Sequence, residues 1–154
     1  MKPSDAGGTT FVFGDNVDTD ALAPGTYMKR PIEEQAQHCL ESLDPAFAKA
    51  VRPGDVVAAG RAFGIGSSRE QAAQALRHLG VQAVVAKSFG GIFYRNALNL
   101  GLLVVACAEV DQIRAGDRVS VDGLAGTVTN HSTGAVLACD KVPAHLLAIV
   151  GDGG

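Results

Sequence analysis

The stretch Gly60-Arg61-Ala62-Phe63-Gly64-Ile65-Gly66-Ser67-Ser68-Arg69-Glu70 gathers glycines, hydroxyls and an arginine between an apolar run and a helical pattern. A helix start exposes unpaired N–H groups and the positive end of the peptide dipole, which suits an anion. Ser67 and Ser68 add hydroxyl donors, and Arg69 adds a planar fork that matches a carboxylate in bidentate fashion. These residues predict a carboxylate or phosphate cradle. The plainer alternative is a helix cap, with Ser67 or Ser68 accepting from the first amides and Glu70 or Gln71 supporting it. A cap accounts for one serine, but it does not call for two glycines and an arginine beside it. Sharper signatures are absent. Gly64-x-Gly66 lacks the third glycine of a dinucleotide fingerprint, and the chain has neither a Gly-Lys-Ser/Thr phosphate loop nor a Gly-x-Ser-x-Gly elbow.

Two further segments carry chemistry. Asp15-Asn16-Val17-Asp18-Thr19-Asp20 places three acids close enough to hold a hard cation, but the calcium-loop pattern fails for want of its glycine and closing glutamate. On spacing alone, a polar turn after a strand is the better reading. Tyr94, Arg95 and Asn96 put polar tips on an otherwise apolar helix, where hydrogen bonding between helices competes with any chemical role. Cys39, Cys107 and Cys139 are far apart and odd in number, which is wrong for a disulfide framework, and no Cys-x-x-Cys suggests zinc or a cluster. They read as buried structural thiols. His38, His78, His131 and His145 have no ligand-like spacing, so no metal is expected in this chain.

The elements around these segments alternate. Phe11–Phe13 reads as a first strand, and 17–30 as a polar, turn-rich stretch with Pro24-Gly25 at a turn. Ile32–Leu43 reads as a helix. Asp44 then caps a second, with Pro45 at its first position, running through Val51. The strand Val56–Ala59 leads through the glycine-rich loop to a helix over Arg69–Leu79, closed by Gly80. A strand over Val81–Ala86, a helix over Phe89–Leu100 and a strand over Leu102–Ala106 follow, and these repeated strand–helix–strand units predict parallel pairing. Short strands at Arg118–Asp122, Thr127–Thr129 and Ala135–Ala138 precede a last helix over Pro143–Val150. The reading is one α/β domain over residues 1–154 with a mixed, partly parallel sheet, loose at about 1–9 and 151–154.

Composition agrees. The chain is 47% hydrophobic and 19% charged, which excludes a disordered chain, and its net charge of -3 leaves no basic stripe for nucleic acid. No signal-like start or membrane-length apolar run is present, which predicts a cytoplasmic protein that does not enter the membrane.

The segments Phe13-Gly14-Asp15-Asn16-Val17-Asp18-Thr19-Asp20, Phe63-Gly64-Ile65-Gly66-Ser67-Ser68-Arg69-Glu70 and Ala86-Lys87-Ser88-Phe89-Gly90-Gly91-Ile92-Phe93-Tyr94-Arg95-Asn96-Ala97 resemble, in this order, the small subunits of isopropylmalate dehydratase and homoaconitase. They are similar also to the swivelling C-terminal domain of aconitase. The likeness covers nearly the whole chain. It implies a swivelling β/β/α fold and a large-subunit partner carrying a [4Fe–4S] cluster, with no cofactor in this chain. The implied reaction is dehydration of a hydroxy di- or tricarboxylic acid followed by rehydration, with 3-isopropylmalate of leucine biosynthesis foremost, and homoaconitate or 2,3-dimethylmalate as alternatives.

By the same resemblance, Ser67 is the general base and Asp20, with Thr19, an active-site aspartate. Ser68 and Arg69 would grip a substrate carboxylate. The stretch Pro24 to Pro31 falls where these subunits carry a substrate-discriminating loop. There, Lys29 or Arg30 could meet a further carboxylate, or be merely solvated, while Tyr27 and Met28 could line an apolar pocket. Two departures stand out: Gln71-Ala72-Ala73 replaces a common His-Ala-Pro, and Ala62 replaces a common asparagine. Outside enzymology, a module that only binds a polycarboxylate would use the same cradle.

Overall fold

The runs Val-Val-Ala-Ala at 56–59, Ala-Val-Val-Ala at 83–86 and Leu-Val-Val-Ala at 103–106 offer water no polar side, and such runs are stable as parallel strands covered on both faces. The computed structural model, which describes residues 7–66 and 69–151, places them so. Strands β1 (Gly8–Val12), β2 (Val56–Ala59), β3 (Ala83–Ala86) and β4 (Leu103–Ala106) lie parallel and side by side. Their register aligns Val12, Ala58, Val85 and Val105 across the sheet. Every residue of β2 and β3 is buried.

On the other side of β1 the sheet turns antiparallel, through β5 (Arg118–Asp122), β6 (Thr127–Asn130) and β7 (Val136–Ala138). The strand order is β4-β3-β2-β1-β5-β6-β7. β1 joins the two halves: Gly8 and Thr9 oppose Val119 and Arg118, while Thr10, Phe11 and Val12 oppose Val56, Val57 and Ala58. Thr10 reinforces the joint, its N–H and hydroxyl both donating to the Asp117 carbonyl at 2.9 and 2.8 Å.

Among the described residues, the α-helices that accompany the sheet are α1 (Thr19–Leu22), α2 (Ile32–Ala36), α3 (Phe47–Ala50), α4 (Glu70–His78), α5 (Gly91–Asn99) and α6 (Ala144–Gly151). α4 buries Ala72, Ala73, Ala75 and Leu76 and packs against α1, α2 and α5. It stops where Gly80 takes a φ of +85°, open to glycine at little cost. Phe47 of α3, fully buried, meets Phe11 and Phe13 edge-on at 5.1 and 5.6 Å and so fastens the crossover to the first strand. This is the mixed, partly parallel α/β sheet that the sequence pattern predicts, in the β/β/α arrangement that the resemblance implies. None of the described helices is long and apolar enough to cross a membrane.

Several boundaries differ from the expectation. β1 starts at Gly8, so Gly8 and Thr9 belong to the sheet rather than to a loose N-terminus, and Phe13 lies beyond its end. The helix expected over Ile32–Leu43 ends at Ala36. Beyond it the amides of Gln37, His38 and Cys39 bond three residues back, and Leu40, at φ +61°, donates instead to the Ala21 carbonyl at 2.9 Å. A tertiary bond here outweighs local helix propensity. α3 begins at Phe47, although Asp44 still accepts the Ala46 N–H at 3.1 Å. α1 forms inside the stretch expected to be turns only, because Asp18 caps it by accepting the Ala21 N–H at 2.8 Å.

Truncating Phe47→Ala removes a fully buried ring that neighbouring atoms cannot replace, and is expected to destabilise the fold by about 3–5 kcal/mol. Urea unfolding checks this; a loss under about 1 kcal/mol would show that α3 does not anchor the crossover.

Candidate active site

Because β1, β2 and β3 run parallel, the segments that leave them emerge at the same sheet edge, where α/β proteins build their sites. The segment after β2 lies between the other two. On one side, the Arg61 N–H donates to Asp15 Oδ1 at 2.7 Å, Asn16 N–H to the Arg61 carbonyl at 2.8 Å, Gly64 N–H to Val17 at 2.6 Å and Thr19 N–H to Ile65 at 2.8 Å. On the other, Ala62 N–H donates to Ser88 Oγ at 2.8 Å, Phe63 N–H to the Ser88 carbonyl at 3.0 Å and Gly90 N–H to Phe63 at 2.9 Å. The three motifs noted in the sequence are therefore one hydrogen-bonded unit. Gly64 shows why glycine is needed: at φ +81°, a Cβ there would run into the Phe93 ring.

The three acids have separate duties. Asp15 accepts from the loop, Asp18 caps α1, and Asp20 alone faces a cation. Each acid is thus engaged with its own partner within the fold. Among the described residues, no group of three His, Cys, Asp or Glu could hold a metal ion.

Asp20 and Arg69 meet across 49 residues of sequence, Arg69 Nη1 donating to Asp20 Oδ1 at 2.8 Å and to the Ala23 carbonyl at 3.1 Å. The Gly25 N–H donates to the same carboxylate oxygen at 3.0 Å. Asp20 is 68% exposed and Arg69 27%, so the pair forms an open surface with the guanidinium lodged against the protein. The Arg69 hydrogen bond, aided by that of Gly25, holds the Asp20 carboxyl below the usual carboxylate range. Thr19 is buried beside Gly66, where an added Cβ would lie 2.9 Å from the Thr19 hydroxyl oxygen.

The structure thus gathers Thr19, Asp20 and Arg69. Ser67 and Ser68 lie outside the described residues. In the 24–31 loop, only the Gly25 end touches the pair. Tyr27 stacks flat on His38, ring centroids 3.7 Å apart, and His38 Nδ1 lies 2.7 Å from Glu41 Oε1. Met28 packs against the core, Arg30 sits 3.8 Å from Glu34, and Lys29 is exposed. Tyr94 is half-buried against the Phe89 ring, and burial raises its hydroxyl pKa, with Asp140 adding to the effect. Sequence reasoning missed Gly25 as part of the site, and it placed Ser88 in a motif segment without assigning it a role. The Pro24-Gly25 turn signal marked Gly25 as a bend, and nothing in the sequence marks Ser88 Oγ as an acceptor for the loop.

Residues 16–110 match the aconitase C-terminal domain family. The chain is 45% identical over 149 residues to the 3-isopropylmalate dehydratase small subunit 1 of Thermotoga maritima, covering 96% of this chain and 90% of that protein. It is 47% identical over 148 residues to the methanogen homoaconitase small subunit of Methanothermobacter thermautotrophicus, covering 96% and 86%. The crystal structure of 3-isopropylmalate dehydratase from Methanocaldococcus jannaschii superposes with a TM-score of 0.89 at 41% identity, covering 96% of this chain and 88% of that one. The fold, the braided loops and these likenesses agree, and the chain belongs to the aconitase C-terminal domain family, in its isopropylmalate dehydratase and homoaconitase small-subunit branch.

Two measurements test the site as built. Ala62 has φ +57°, a conformation that asparagine and glycine hold with less strain than alanine. Ala62→Asn is expected to stabilise the protein by about 0.5–1 kcal/mol in urea unfolding, and a destabilised variant would refute the strain argument. Asp20 should titrate below 3.8 by carbon-detected NMR, and return toward 3.8 in Arg69→Gln. Since its folded pKa is lowered, the stability it contributes is present above the unfolded value and is lost as pH falls through the folded one.

Proposed function

We propose that this chain is the small subunit of a two-subunit hydro-lyase that dehydrates a hydroxy di- or tricarboxylic acid and rehydrates the product at the neighbouring carbon. The foremost substrate is the 3-isopropylmalate/2-isopropylmalate pair of leucine biosynthesis, in the cytoplasm. Homoaconitate and 2,3-dimethylmalate are the alternatives, and the similarity to a homoaconitase small subunit supports keeping the first of them. The observation that carries the reading is the Asp20–Arg69 pair, assembled by backbone-fixed loops at the carboxyl ends of parallel strands.

In this reading Arg69 binds a substrate carboxylate. Its guanidinium is already oriented by Asp20 and the Ala23 carbonyl, so little side-chain freedom is lost on binding. Asp20, with its pKa lowered, stays ionised at neutral pH and keeps the guanidinium in place. Ser68 joins the grip on the carboxylate. Ser67 removes the proton from the carbon beside that carboxylate; a serine hydroxyl is a poor base in water, and nearby N–H donors of a glycine-rich turn would stabilise the alkoxide it needs. Thr19 supports Gly66, immediately before Ser67. A [4Fe–4S] cluster, which this chain's described residues are not equipped to ligate, would belong to the large subunit and supply Lewis-acid help to the departing hydroxide. The 24–31 loop discriminates substrates at its exposed residues, Lys29 and Arg30 among them.

The test is anaerobic assay of isopropylmalate, homocitrate-series and dimethylmalate substrates with the cognate large subunit, reconstituted with iron and sulfide, with and without this chain. Turnover is expected only with both proteins present. Ser67→Ala should then lower kcat by roughly 10²- to 10⁴-fold, and Arg69→Lys should lower kcat/KM by roughly 10- to 100-fold. Full activity of the isolated chain would sink the proposal. Binding of a polycarboxylate by the chain, with no turnover of any substrate, would favour a binding module instead.

A further inference from the structure

The two outer strands of the sheet, β4 and β7, are the farthest apart in strand order, yet the sheet curls until their ends converge. The Asp140 N–H donates to the Ala106 carbonyl at 2.9 Å, joining the last residue of β4 to the chain leaving β7. Each strand is followed immediately by a cysteine. Cys107 Sγ donates to the Ala138 carbonyl at 3.5 Å, beside Cys139, and Cys139 Sγ donates to the Leu137 carbonyl at 3.8 Å.

We infer that Cys107 and Cys139 form a dithiol site that a small-molecule disulfide converts to an intrachain disulfide, clasping the seam where the two sheet edges meet. The Asp140–Ala106 bond brings the two backbones together one residue from each cysteine. Chains joined by such a hydrogen bond run about 5 Å apart, inside the roughly 4.4–6.8 Å that a disulfide's α-carbons span. Both cysteines are held by their own amides, Cys107 to the Ala86 carbonyl and Cys139 to Gly126, each at 2.8 Å.

The pair also divides the chemistry. Cys139 is half-buried and reachable, whereas Cys107 is 1% exposed. The neighbouring Cys139 lowers the Cys107 thiol to about 7, while Cys107 and burial raise Cys139, so the two sulfurs titrate as a pair. The half-buried Cys139 thiol gives its proton to water and its sulfur attacks the disulfide R–S–S–R, forming a mixed disulfide and releasing one R–S⁻. Cys107 then loses its proton and attacks the Cys139 sulfur, releasing the second R–S⁻. Two protein thiols are oxidised and one small disulfide is reduced to two thiols. Cys39, fully buried and with its thiol pKa raised by burial, takes no part. The bond closes a ring around β5, β6 and β7, so it acts on the antiparallel half and leaves the site loops untouched.

The test is incubation of the reduced full chain with oxidised glutathione at pH 8, followed by intact-mass analysis, peptide mapping and thermal unfolding. The expected product is a monomer lighter by two hydrogens, with the Cys107 and Cys139 peptides linked and one thiol left of three. Its Tm should rise by roughly 5–10 °C and fall back on reduction. Cys39→Ser should oxidise in the same way, and Cys139→Ser, at the half-buried position, should gain neither the bond nor the Tm shift. Three remaining thiols, a stable glutathione adduct on Cys139 or a disulfide between two chains would each overturn the inference. Activity is not needed for the readout, so the result stands apart from the proposed function.

Discussion

The backbone of residues 60–66 runs between two neighbours that satisfy its amides and carbonyls in turn, 14–19 on one side and 87–90 on the other. A loop over a packed α/β core cannot leave such groups unpaired without a cost of about 1–3 kcal/mol each. The solution here is sheet-like: single bridges, Asp18 to Ile65 and Phe63 to Phe89, carry the β1-β2-β3 order past the ends of the strands. Arg69 can meet Asp20 only because this braid fixes how far each loop travels before turning. The positive-φ turns at Ala62, Gly64 and Gly66 follow from the same constraint, since the middle loop must double back between its neighbours without leaving its bonds.

The Asp20–Arg69 pair then does something other than hold the fold together. An ion pair with a 68% exposed carboxylate adds about 0–1 kcal/mol at most, well below what one buried ring such as Phe47 contributes. Its value lies in direction. Arg69 has two acceptors on Nη1, the Asp20 carboxylate and the Ala23 carbonyl, and both belong to the segment after β1. The guanidinium is set by the scaffold instead of by its own rotamer preferences, a pre-orientation on which the proposed carboxylate grip relies.

Much of this was legible in the residues. The apolar runs read as strands over 56–59, 81–86 and 102–106 predicted parallel pairing, with the observed strands starting at Ala83 and Leu103 in the last two, and Gly80 marked a helix end correctly. The polar motif segments announced a site, and the structure brings Thr19, Asp20 and Arg69 of it together. What stayed hidden depends on distant partners. Nothing local in Leu40 says that it will donate to Ala21 and end a helix, and the acids at 15, 18 and 20 look interchangeable until each finds a separate acceptor role. Cys107 and Cys139 looked unrelated for the same reason, because sequence spacing carries no information about where a curled sheet closes. Cys139 is also half-buried where a buried thiol was expected.

β1 shows how one short strand can answer to both halves of the sheet. Phe11 and Phe13 point to one face, against Phe47, while Val12 between them is 43% exposed. Side chains alternate with a period of two, so a one-residue slip would turn both rings outward and break the bonds from Thr10 to Asp117 at the same stroke. The register of the antiparallel half and the direction of the site loop after β1 are thus locked to each other. A change within β5 to β7 reaches the Asp20 loop most directly by shifting β1, and the buried ring of Phe47 resists that shift. This separation lets the antiparallel half and its seam vary while the geometry at Arg69 stays constant.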